Sequence, residues 1–216
     1  MKCALKFSVA RAFTLIELMV IIFTLAMLMI LIFSGMANGK FYAQQKVCSN
    51  NLKQIGLGFR IWAGDSRDKF HFREPIKNGG TKEFVETEEV FRHFQVMSNE
   101  LQTPKVLICP TDSRQPAVNF ANAFSNTNIS YFVGVDADES NPEMLLSGDL
   151  NVTNGFAPKN NLLTVLTNQT VGWSHIMHKR GGSLLISDGH AEFVTTAKLR
   201  EALQKTGTPT NRLAIP

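Results

Sequence analysis

The hydrophobic pattern divides the chain in two. Residues 13–33 carry one charge, Glu17, and two threonines among apolar side chains, with no polar face. About 20 helical residues cross a bilayer core of about 30 Å, so this run predicts a transmembrane helix. A secretory signal has an apolar core of only about 7–15 residues, which predicts that the span is retained. Ser34, Gly35, Asn38 and Gly39 then loosen the helix, because an interior Gly costs up to about 1 kcal/mol. Beyond them the pattern becomes periodic. Tyr42, Val47, Leu52, Ile55, Phe59 and Trp62 recur at steps of three to five, the stripe of an amphipathic helix. The sum is one helix over residues 13–64, about 75 Å long at 1.5 Å per residue. Gly56 and Gly58 within it suit the close approach of a sheet.

After residue 64 the periods shorten. Residues 65–82 read as loop and 84–100 as a short helix. Short strands are expected at 105–110, 128–135 and 161–167. The strongest hairpin is residues 182–196, where Asp188-Gly189 is a preferred two-residue turn. That turn pairs Ile186 with Ala191 and Leu184 with Phe193 on one apolar face, with Ser187, His190 and Glu192 on the other. Residues 195–205 read as a helix and 206–216 as a loose tail. The fold class is α+β, a long helix laid on an antiparallel sheet. Its parts are a leader (1–12), an apolar helix (13–34), its amphipathic continuation (35–64) and one globular β-rich domain (65–216).

Charge gives the span a direction. Lys2, Lys6 and Arg11 precede it, which places the N-terminus in the cytoplasm and the body outside. The net charge of +4 owes much to these three, so the body is nearly neutral. It has no basic stripe interleaved with aromatics, which argues against nucleic-acid binding. Cysteine is sparse. Cys3 lies in the leader, and Cys48 and Cys109 are the one pair an exported mature chain can join internally; two buried free thiols are the other reading.

Three groups bear on chemistry. His175, His178, Asp188 and His190 lie close in sequence and are residue types that could form a zinc site. The competing reading is structural: Asp188 bonds its own turn and His178 reaches across to Asp188-Gly189. Asp136, Asp138, Glu139 and Asp149 sit in an acidic stretch and are hard oxygen ligands suited to calcium. An acidic stretch is equally a solvated loop, and the spacing is no EF-hand. No Ser/His/Asp or Cys/His arrangement stands out, so an enzyme is not expected.

Glu17 is costly in hydrocarbon, about 2.5–3.5 kcal/mol at a helix centre. The string RAFTLIEL around it resembles the processing site of type IV pilins and type II secretion pseudopilins. The resemblance implies a pilin-like fold and cleavage between Ala12 and Phe13 by prepilin peptidase, with N-methylation of Phe13. Ala12 stands where that family has Gly. Glu17 becomes the fifth mature residue, beside the new ammonium of Phe13 or of a neighbouring subunit. A second likeness is narrower. HKRGGSLLISDGH, with His178 ahead of Asp188 and Gly189, resembles the H-X9-DG group of prepilin-type proteins, as do CSNNLKQIGLGF and LICPTD. These likenesses imply a non-enzymatic subunit in the bacterial inner membrane. Its partners would be further copies or other pilins in a helical filament. Some pseudopilins hold calcium in a late loop. Alternatives from the residues themselves are an anchored binding module that never polymerises and a metal-dependent enzyme using His175, His178 and His190.

Overall fold

The computed structural model describes residues 13–179 and 181–216; the leader and Ala12 lie outside them. The chain falls into two compact units, the first ending at Tyr42 and the second Ala43–Pro216. One helix, α1 (Leu15–Asp65), contributes to both. In the first unit, Leu15–Phe33 is long and apolar enough to cross a membrane, and none of it is buried within the protein.

In the second unit α1 buries Cys48, Leu52, Ile55, Phe59 and Trp62. Their spacing of three and four residues keeps one side of the helix on the core. Tyr42 and Val47 do not belong to that stripe; both are exposed. Their spacing of five carries them off the face, and Gln45, Cys48 and Ser49 are buried in their place.

The segment after α1 holds no long helix. Residues 84–100 break into α2 (Phe91–Gln95) and α3 (Ser98–Leu101). The expected strand at 105–110 is instead a 3-10 turn, Pro104–Leu107. Thr103 caps it through Lys105 N–H, and Pro104 at its start has no amide to give a ladder.

Six antiparallel strands follow: β1 (Tyr131–Gly134), β2 (Leu145–Asp149), β4 (Leu162–Leu166), β6 (Gly181–Ile186), β7 (Ala191–Thr195) and β8 (Thr210–Ala214). Their order is β4-β8-β1-β2-β6-β7. A small pair, β3 (Val152–Thr153) with β5 (Gly172–Trp173), stands apart. Residues 206–216 are therefore no loose tail, since β8 pairs with both β1 and β4.

Both sheet faces are covered. Tyr131, Val133, Leu146, Leu185 and Ala191 join the core under α1. Phe132, Leu163, Leu184, Val194 and Leu213 join a second core with α4 (Thr196–Lys205) and Trp173. Gly56 lets α1 lie on the sheet: a methyl group there would come 3.0 Å from Leu185 Cδ1. Gly58 serves a different contact, against Leu101 of α3.

The β6–β7 hairpin is where expected, but its register is shifted by one. Leu185 pairs with Ala191, Leu184 with Glu192 and Ser183 with Phe193. The loop has three residues, Ser187-Asp188-Gly189: Gly189 N–H donates to Ile186 O (2.9 Å), and Ile186 N–H to His190 O (3.1 Å). Gly189 has φ +88°, the left-handed residue that closes a three-residue turn with a bulge. Because side chains alternate, that added residue sets Ala191 and Phe193 on the face of Leu185 and Ser183, and Glu192 on the opposite face with Leu184.

Candidate functional site

Two places carry chemistry. The first is the start of α1. Thr14 precedes the first helical residue, and Glu17 lies three positions on. Thr14 N–H and its hydroxyl both donate to Glu17 Oε2, at 2.8 and 2.7 Å. Glu17 N–H approaches Thr14 Oγ1 at 3.3 Å. This is a reciprocal capping box, in which side chains satisfy amides the helix leaves open. It also sets a negative charge at the positive end of the helix dipole.

The second place is buried under α1. Alternation along β2 turns Asp149 to the same face as Tyr131, its partner across β1. His178, ahead of β6, sets Nε2 3.2 Å from Asp149 Oδ2. The backbone N–H of Ser183 donates to the same oxygen at 2.5 Å. Cys109 Sγ and Thr111 Oγ1 also face His178 Nε2, at 3.4 and 3.3 Å. Cys109 is joined to Cys48 of α1 in a disulfide, with Cα atoms 5.1 Å apart. All four of Cys48, Cys109, Asp149 and His178 are fully buried. Burial pushes the Asp149 carboxyl above its ordinary range, and its hydrogen bond from His178 works against that rise. Neither Asp149 Oδ1 nor His178 Nδ1 has a hydrogen-bond partner among the described residues.

No protein-family model, curated protein or solved structure matches the chain.

His178 meets Asp149, not the Asp188-Gly189 turn. The Asp188 carboxylate accepts instead from His190 N–H at 2.6 Å, bonding its own loop. Nor do His175, His178 and His190 converge as a zinc site. His175 and His190 are exposed while His178 is buried, and His190 lies near Glu192. The four carboxylates proposed for calcium do not converge either. Asp149 is held in the buried cluster, Asp136 binds Arg212 through both carboxylate oxygens, and Asp138 pairs with Arg73 at 3.2 Å. Guanidinium groups and hydrogen-bond donors of the chain already engage the Asp136 and Asp138 oxygens that a calcium ion would need. Glu139 is half-buried and separate from that pairing.

A second buried polar group gave no sequence signal. Thr81 Oγ1 lies 2.8 Å from His71 Nδ1 and 2.7 Å from His93 Nδ1. One hydroxyl proton serves two rings, so one histidine carries its proton on Nδ1 and the other on Nε2. Phe59 stacks on His71 with centroids 5.2 Å apart. Burial lowers His71 well below its ordinary value, with His93 adding to the effect, and lowers His93 to about 4.

Proposed function

We propose that this chain is a structural subunit of a type IV pilus-like or type II secretion pseudopilus filament, cleaved before Phe13 and N-methylated there. The observation that carries the reading is one carboxylate, Glu17, held at the head of an otherwise uncharged apolar segment, Leu15–Phe33. In a lone subunit Glu17 closes its own helix through Thr14. In the filament the ammonium of a neighbouring Phe13 approaches that carboxylate, and pairing offsets part of the cost of keeping either charge in lipid. The Cys48–Cys109 disulfide suits a body carried to an oxidising compartment.

The mass of the mature N-terminus tests processing: a methylated Phe13 is expected, and an intact Met1 leaves only an anchor. Glu17→Ala tests assembly. It should insert in the membrane and be missing from sheared filaments; normal assembly would sink the docking role. A second reading, an anchored binding module, draws on an open depression in the body lined by Lys69, Arg73, Glu83, Asp136 and Arg212. A sheared-filament fraction free of the wild-type protein at native expression would favour it.

A further inference from the structure

We propose that the chain, once its disulfide is reduced, holds one zinc ion between Cys48, Cys109, His178 and Asp149. The sulfurs, a ring nitrogen and a carboxylate oxygen of these residues all lie within 4.8 Å of one another, and all four residues are buried. Two sulfurs, one imidazole and one carboxylate form a ligand set that zinc takes in tetrahedral sites. Arms of about 2.0–2.3 Å give a tetrahedron edges of about 3.3–3.8 Å. Two of those edges already exist: His178 Nε2 is 3.2 Å from Asp149 Oδ2 and 3.4 Å from Cys109 Sγ. The edge that must change is the one between the sulfurs, which the disulfide closes. Rotation of the two cysteine side chains after reduction opens it.

The rest of the pocket fits an ion. A buried carboxylate beside a histidine is not needed to form a disulfide, and burying it is unfavourable. Asp149 Oδ1 has no hydrogen-bond partner among the described residues. The Ser183 amide holds Oδ2, the oxygen placed toward the ion, as outer groups hold metal-binding carboxylates. Zinc and disulfide would then be alternative ties of α1 to the rest of the body, each through Cys48 and Cys109. Zinc cannot bind the oxidised form, because both sulfurs are already bonded to each other.

The steps balance. A phosphine reductant and one water convert the disulfide to two thiols, and the phosphine becomes its oxide. Zinc then displaces the two thiol protons to solvent, His178 binding through Nε2 and Asp149 as its anion.

The test uses the full chain in nonionic detergent, oxidised or phosphine-reduced, with zinc or cobalt. One zinc per reduced chain after dialysis and none per oxidised chain are expected. Cobalt should give the intense visible bands of a tetrahedral site and a thiolate charge-transfer band. His178→Gln should weaken zinc at least about 100-fold, more than loss of an outer partner does. Should that variant misfold, Asp149→Asn is read in the same way. If reduction unfolds the wild type, zinc must refold it. A reduced chain that binds no zinc, or binds it as well without His178 and Asp149, or an oxidised chain that binds it equally, would overturn the proposal.

Discussion

The His71–Thr81–His93 group makes the protein sensitive to acid. His93 is fully buried and neutral, its pKa lowered to about 4 by burial from a usual 6.5. In the unfolded chain it takes a proton near the usual value. Between those two values the unfolded state binds a proton that the folded state refuses, so stability falls as pH falls. The contribution is fully present above 6.5 and is lost by about 4. A shift of this size amounts to on the order of 3 kcal/mol, at about 1.4 kcal/mol per pH unit. His71, also lowered by burial and by His93, acts in the same direction. Asp149 opposes them, because a carboxyl raised by burial is stabilising on the acid side. That opposing effect cancels when wild type is compared with His93→Asn, which keeps a hydrogen-bonding atom near Nδ1 and does not titrate. Urea unfolding of the full chain in detergent, followed by the fluorescence of Trp62 and Trp173 with the disulfide intact, gives the stability at each pH. Wild type should lose on the order of 3 kcal/mol more than His93→Asn across the window. Parallel curves for the two proteins would refute the reasoning.

The disulfide closes a loop of 61 residues; without added metal, Cys109→Ser should lower stability by about 4 kcal/mol in chain-entropy terms, read as a fall in the urea midpoint. Gly148→Ala should be poorly tolerated, since its methyl would lie 2.7 Å from the Phe132 ring and 2.9 Å from Ser183 O; a cost of about 1–3 kcal/mol is expected by the same assay. Asp136→Asn leaves Arg212 without its closest anionic partner on a part-exposed surface, so a loss of only about 0.5–1 kcal/mol is expected, shrinking when salt is added.

Much of the fold was legible where the pattern was long. The apolar run and the stripe Leu52, Ile55, Phe59 and Trp62 foretold α1, because many residues vote for one period. The Asp188-Gly189 turn located the β6–β7 hairpin, but not its register: two-residue and three-residue loops both accept that dipeptide, and only backbone geometry separates them. β8 was missed because TNRLA looks polar. Its Asn211 is buried and bonds Thr206, and its Arg212 is bound by Asp136, so polar side chains there are satisfied rather than solvated. β2 was missed because Asp136, Asp138 and Glu139 coloured the whole stretch as an acidic loop. That error hid the site. Cys48 and Cys109 could be paired by counting, but the pairing of His178 with Asp149 depends on β2 lying beside β6. No local spacing encodes that adjacency.

The place of β8 has a consequence in time. A chain delivered N-terminus first presents β1, β2, β4, β6 and β7 before β8 arrives, and β4 has no other partner in the large sheet. Until residues 210–214 have emerged, β4 and one side of β1 stay as open edges, the kind that recruit foreign strands. The nucleus that unites the sheet must join segments far apart in sequence, which slows folding. The body is thus most exposed to misassembly while it is being delivered, and a stalled or truncated chain would carry that hazard permanently.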